Sequence, residues 1–258
     1  MSLALDNARA LYMEGIRDGN PRAAVEKYTG ERYTQHSTGV PDGQEGFIEF
    51  FEEFLERNPD REIEILRAWE DGQYLFLSAL QTLNGGEARW VTADIFDTDS
   101  EGRMIEHWDI IQEFATETAS GNSMVDGPTE PTDLHLTEQN KQLVARFIAN
   151  VLGSGKTDRI GEFVHADVIQ HNPAMGNGLD VLEGALEQMS AADTPVVYTQ
   201  IHRVVGCGDM VATLSEATIG EDVAIIDIFR VADGKIAEMW DVMEPIPSPE
   251  MAKNSGKF

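Results

Sequence analysis

Asp94-Ile95-Phe96-Asp97-Thr98-Asp99-Ser100-Glu101-Gly102-Arg103-Met104-Ile105-Glu106-His107-Trp108-Asp109 returns later in the chain as Asp227-Ile228-Phe229-Arg230-Val231-Ala232-Asp233-Gly234-Lys235-Ile236-Ala237-Glu238-Met239-Trp240-Asp241. Seven positions are identical, and the first version carries one extra residue in its turn. Each version sets a strand-length segment on both sides of a glycine-bearing turn, the mark of a β-hairpin. A hairpin written twice announces a fold written twice.

The repeat extends upstream. Gln35-His36 followed by Gly39 matches Gln170-His171 followed by Gly176, and Arg67…Gly72 matches Arg203…Gly208, always 132 to 137 residues apart. Two copies of that length are two domains rather than a solenoid. The expected divisions are domain one at 1–117, a Ser/Thr/Gly/Pro- and acid-rich linker at 118–134, domain two at 135–245 and a flexible tail at 246–258.

Each copy has one order of elements. Helical spacing comes first (Leu5, Ala8, Tyr12, Ile16; then Leu143, Phe147, Val151), with a short helix after Pro21 and its counterpart at 158–164. Gln-His sits on an extended entry segment. A further helix follows, striped by Phe47, Phe50, Phe51, Phe54 and Leu55 in copy one and by Leu179, Leu182, Leu186 and Met189 in copy two. That stripe reads as core. Four strands close each copy, at 62–69, 73–83, 86–97 and 103–113, then 196–205, 209–218, 222–231 and 235–243. Helices followed by a meander give an α+β class, with helices packed on one face of an antiparallel sheet.

The hairpin carries the titratable groups. Counting back from the turns pairs Asp94 with His107 and Asp227 with Met239, and puts Asp109 and Asp241 on the same faces as those pairs. Phe96, His107 and Asp109 then share a face with Asp94, while Trp108 and Trp240 point the other way. Carboxylates beside an imidazole within an apolar pocket are equipped to exchange protons near neutrality.

Composition narrows the partners. The 258 residues hold 46 acidic and 19 basic side chains, a net charge of -27. Such a field repels phosphate backbones and anionic bilayers, so neither nucleic acid nor membrane is expected as a partner. Cys207 is the only cysteine, which excludes an intrachain disulfide and a multi-cysteine metal site. With no leader pattern and no apolar span, a cytoplasmic location is expected. His36, His107, Asp94 and Asp109 have the ligand types of a two-histidine carboxylate centre, but no His-x-His or Glu-x-x-His spacing supports one, so no metal is expected.

Gln35-His36 and Gln170-His171-Asn172-Pro173, each followed by a helix and then by Asp-Ile-Phe…Gly…Glu-(His/Met)-Trp-Asp, resemble the SnoaL-like polyketide cyclases. The resemblance covers each copy nearly end to end. It implies the cystatin-like, nuclear transport factor 2-like cone shared with ketosteroid isomerase, scytalone dehydratase and limonene epoxide hydrolase, in which helices and a curved sheet enclose an apolar pocket. It also implies cofactor-free acid/base chemistry at the position of Asp109 and Asp241, with Asp94 and Asp227 facing the pocket. Met239 departs from the histidine of that motif. The expected catalytic residues are therefore Asp109, His107 and Asp94. His36, Phe96, Asp241, Asp227 and His171 are expected to bind substrate, His36 and His171 from the pocket rim, where their alternative is to bond a loop. The expected activity is of the cyclase, isomerase or dehydratase kind on a small apolar carbonyl compound; the alternative is a non-catalytic small-molecule binder. Trp108 and Trp240 leave an apolar outer face to be covered, and in this fold that implies two sheets packed as an internal pseudo-dimer, an arrangement compatible with further self-association.

Overall fold

The computed structural model describes residues 2–191 and 196–258. By contacts the chain divides into two units: the chain up to Glu113 together with Pro247–Phe258, and Phe114–Ile246. The segment expected as a flexible tail thus packs into the first unit, and the segment expected as a linker packs into the second.

In the first unit, α1 (Leu3–Ala10) is capped by Ser2, whose hydroxyl accepts from the Leu5 amide at 3.2 Å. It runs on as a wider π-helical stretch, Leu11–Arg17. Pro21 opens α2 (Pro21–Tyr28), where its missing N–H costs nothing. Then follow β1 (Thr29–Gln35), α3 (Gly43–Arg57), β2 (Arg61–Asp71), β3 (Tyr74–Leu83), β4 (Ala88–Thr98) and β5 (Met104–Glu113). α3 starts close against the preceding loop: a Cβ on Gly46 would meet the Pro41 carbonyl oxygen at 2.4 Å, so only glycine fits there.

The second unit repeats the order with α4 (Thr137–Phe147, running on as a π-helical stretch to Leu152), α5 (Ile160–Phe163), β6 (Val164–Gln170), α6 (Leu179–Ser190), β7 (Val197–Cys207), β8 (Met210–Ile219), β9 (Glu221–Ala232) and β10 (Lys235–Pro245). Among the described residues no helix is long and apolar enough to cross a membrane.

Each sheet has five strands, ordered β1-β5-β4-β3-β2 and β6-β10-β9-β8-β7. The four-stranded meander is as the sequence indicated. The fifth strand, β1 or β6, is the former entry segment, and it pairs in parallel with the last strand of its own unit. Bulges interrupt β2 between Ile65 and Arg67 and β7 between Ile201 and Arg203. Extra residues on one strand bend the ladder and raise its twist. In each unit the helices pack on one face of the sheet, and Leu11, Tyr12, Ile16, Phe47, Leu75 and Phe96 lie in the first core.

The hairpin register differs from the count by two residues. Asp94 lies opposite Asp109 and Phe96 opposite His107; Asp227 lies opposite Asp241 and Phe229 opposite Met239. Half of the shift comes from the turn. In copy two, Asp233 and Gly234 both have positive φ (48° and 75°), giving the two-residue type I′ turn that pairs Ala232 with Lys235. The other half comes from a bulge, which leaves Ala237 unpaired there and Ile105 in copy one. A shift of two preserves the face of every side chain.

Candidate active site

β5 and β4 place His107, Asp109, Phe96 and Thr92 on the inner face of the first sheet, and β1 adds Tyr33 and Gln35 by its period-two alternation. The loop after β1 adds Ser37 and Thr38. Helical side chains close the other wall, so the phenylalanine stripe of α3 borders a space as well as filling a core: Phe47, Phe50, Phe51 and Phe54 all line it. The partly open cavity measures about 100 Å³. That is space for a ligand of a few heavy atoms.

A buried network runs along its floor. The Tyr12 hydroxyl donates to Asp94 Oδ1 at 2.6 Å, and His107 Nε2 lies 2.9 Å from the same oxygen. His107 Nδ1 meets Gln35 Oε1 at 3.0 Å. The imidazole is held between Phe96 (ring centroids 4.4 Å apart, 6° between planes) and Tyr33 (6.4 Å, 6°). Both ring nitrogens are thus engaged, and His107 orients Asp94 and Gln35 rather than presenting a free nitrogen to the cavity. Ser37 Oγ donates to Asp109 Oδ2 at 2.8 Å. Burial, reinforced by the Asp94 charge, pushes the Tyr12 hydroxyl well above its ordinary pKa. Burial also raises Tyr33, so both phenols remain donors at neutral pH.

Four polar atoms on cavity-lining residues are buried and make no well-formed hydrogen bond among the described residues: Tyr33 Oη, Gln35 Nε2, Thr92 Oγ1 and Asp109 Oδ1. Leaving such a group unmet costs about 1–3 kcal/mol, which a polar ligand atom would recover. Three carry donor hydrogens and one is a carboxylate oxygen. Tyr33 and Gln35 escaped the sequence reading because β1 was not recognised as a strand; alternation back from Ser37 would have found them.

The same alternation corrects the two histidines. Gln35 and Ser37 face the cavity, so His36 between them faces away. It stacks on Trp108 at 5.0 Å and 4°, and its Nε2 lies 3.0 Å from Glu106. His171 repeats this, stacked on Trp240 at 4.7 Å with Nε2 2.9 Å from Glu238. Despite the opposing effect of burial, His171 and Arg230 hold Glu238 below the usual carboxylate range. His36 is not in the wall of the first cavity, and each histidine stacks on its tryptophan on the outer face.

Copy two keeps the aspartates and changes their company. Asn172 Nδ2 donates to both oxygens of Asp241 (2.9 and 2.8 Å), and Tyr198 Oη donates to Asp227 Oδ1 at 3.1 Å. Gln170 Nε2 meets the Met239 sulfur at 3.2 Å where copy one has an imidazole. Val168 stands where copy one has Tyr33. Burial, with the Asp241 charge behind it, pushes Asp227 well above the carboxylate range, and burial takes Asp241 up to about 6. With only a thioether in place of the imidazole, the pair resists double ionisation.

Asp94, His107 and Asp109 offer ligand atoms within 4.8 Å of one another. Asp94 Oδ1 already accepts from Tyr12 and faces His107, and an ammonium, Lys257 Nζ, lies 3.8 Å from Asp109 Oδ1. Both nitrogens of His107 are engaged and the ammonium would repel a divalent ion, so the donor set suits proton chemistry better than metal binding.

A model of the SnoaL-like domain matches residues 8–107 and again residues 144–239. Among curated proteins none matches. Solved structures similar to one copy include TsrD from Streptomyces laurentii (23% identity, 40% of this chain and 87% of that one, TM-score 0.35). An M. tuberculosis LEH-like epoxide hydrolase matches at 22% identity over 42% of this chain and 84% of its own, with a TM-score of 0.36. A steroid delta-isomerase from Pseudomonas aeruginosa matches at 20% identity over 42% and 82%, with a TM-score of 0.34.

Proposed function

The chain belongs to the SnoaL-like domain family, once in each half, and from that premise we propose that its first copy is a cofactor-free proton-transfer enzyme of the cyclase, isomerase or dehydratase kind. Its substrate is a small, mostly apolar carbonyl compound. The observation that carries this reading is the apolar cavity in which Asp109 Oδ1 shares the wall with two buried donors, Tyr33 Oη and Gln35 Nε2. A base and oxyanion donors around one apolar space are the minimum for removing a proton α to a carbonyl.

In the reaction, Asp109 takes the α-proton through Oδ1 while Ser37 holds Oδ2. Negative charge developing on the carbonyl oxygen is met by Tyr33 and Gln35, both protonated and already desolvated. Asp94, His107 and Tyr12 form the support beneath: Tyr12 and His107 fix Asp94, and His107 fixes the Gln35 carbonyl, which aims the Gln35 amide N–H at the cavity. The proton returns from Asp109 to another atom of the substrate, completing an isomerisation, or assists a leaving hydroxyl in a dehydration.

The test compares two nearly isosteric variants once turnover is found among small carbonyl compounds. Asp109→Asn is expected to cost about 10²–10⁴-fold in kcat, and Asp241→Asn to retain most of the activity. Equal losses, or activity that follows Asp241 alone, would move catalysis to the second copy. A ligand that raises the melting temperature without turnover at any pH would favour the non-catalytic binder.

A further inference from the structure

Residues 254–258 follow the second copy in sequence but pack into the first unit. Asn254 Nδ2 donates to the carbonyls of Ser37 (2.7 Å) and Val40 (2.8 Å), Ser255 Oγ donates to Asp42 at 2.9 Å, and Gly256 O lies 2.5 Å from His36 Nδ1. The strap so formed clamps the loop that carries Ser37 and Thr38 into the cavity. Its next residue, Lys257, is buried, with 3% of its side chain exposed. Lys257 Nζ donates to the Asp109 carbonyl at 2.7 Å and to Thr38 Oγ1 at 3.3 Å, and lies 3.8 Å from Asp109 Oδ1.

The second unit has a similar strap. Asn122-Ser123 stands 132 residues before Asn254-Ser255. Asn122 Nδ2 donates to Gln170 O at 2.9 Å, and Ser123 O lies 2.6 Å from His171 Nδ1, the place that Gly256 O takes at His36. The residue after that anchor is Lys257 in the first strap and Met124 in the second. One strap brings a cation to its aspartate; the other carries a methionine at the matching place.

We propose that Lys257 is a positioning residue of the first site: its buried ammonium keeps Asp109 ionised and fixes the strand that presents it. The proposal rests on the reading of Asp109 as the base. The charged and titratable groups facing Asp109 are Asp94 from β4, His107 from β5, Tyr12 from the helical stretch after α1, Tyr33 from β1 and Lys257 from the strap; α3 contributes only phenylalanines to the cavity. Asp94 opposes ionisation of Asp109, and Lys257 is the permanent cation against it. In copy two, where methionines stand at the places of both the lysine and the imidazole, burial raises Asp241 to about 6.

The experiment titrates the side-chain carboxyls of the full chain by ¹³C NMR with labelled aspartate, with Asp109 and Asp241 assigned from their Asn variants. Lys257→Met and Lys257→Gln should each raise the Asp109 midpoint by about one unit or more, and Lys257→Arg should leave it within about half a unit. Asp241 should not move in any of them. Gln retains a donor for the Asp109 carbonyl should Met fail to fold. An Asp109 midpoint unmoved in a folded Met or Gln variant overturns the proposal. Turnover plays no part in this readout. A midpoint that moves in a protein without activity retires the catalytic reading and keeps the lysine's role; an unmoved midpoint in an active enzyme does the reverse.

Discussion

A carboxyl group placed twice by the same hairpin meets two environments. Asp109 has Ser37 on one oxygen and an ammonium near the other; Asp241 has one asparagine amide bridging both. The consequence for stability has a definite sign. Asp241 is raised from 3.8 to about 6 on folding, so its contribution is complete below about pH 4 and is lost as pH rises through about 6. Asp241→Asn cannot ionise, and it also relieves Asp227 of a neighbouring charge. Relative to the wild type, this variant should therefore gain about 1–3 kcal/mol between pH 4.5 and pH 7.5. Urea denaturation at the two pH values measures it, and a difference that stays flat would show that Asp241 ionises freely in the native state. Tyr33 and Val168, at matching places in the two copies, extend the inequality from the base to the donors around it.

At the level of strands, the hairpins were legible because a glycine-bearing turn between strand-length segments is a local signal. Asp94, Phe96, His107 and Asp109 fell on the inner face as read. Their pairing did not, because a bulge inserts one residue without leaving a mark in the pattern. β1 was illegible for a different reason. Thr29-Gly30-Glu31-Arg32-Tyr33-Thr34-Gln35 has few apolar residues, and its partner β5 lies some seventy residues away with no turn to announce the pairing. Missing that strand is what put His36 rather than Gln35 in the pocket. The outer face gives this scale its test. Trp108 is 1% exposed and stacked on His36, so Trp108→Ala should destabilise the fold by about 3–5 kcal/mol. A loss below about 1 kcal/mol in denaturant would mean that the stacked pair does not hold the sheet's back.

Across the whole molecule the dominant quantity is charge. Residues 1–128 carry 26 acids and 10 bases, and residues 129–258 carry 20 and 9, so neither copy neutralises the other. Self-repulsion of this kind falls as the Debye length shrinks from about 20 Å to a few ångström. Raising sodium chloride from about 0.02 to about 0.5 M should therefore lift the melting temperature by several degrees. Scanning calorimetry checks this, and a constant or falling temperature would show that the acids are already paired off.

The strap carries a last consequence, and it is a genetic one. The codons that complete the first pocket lie beyond those of the second copy's final strand, which ends at Pro245. A duplicated gene is ordinarily free to let either half decay alone, but here the reading frame ties the halves together. A frameshift after codon 246 would leave every strand of the second copy intact and strip the first of Asn254 and Lys257. Selection on the first pocket therefore reaches past the codons of the second copy's last strand, and the first copy cannot be transplanted as one continuous segment.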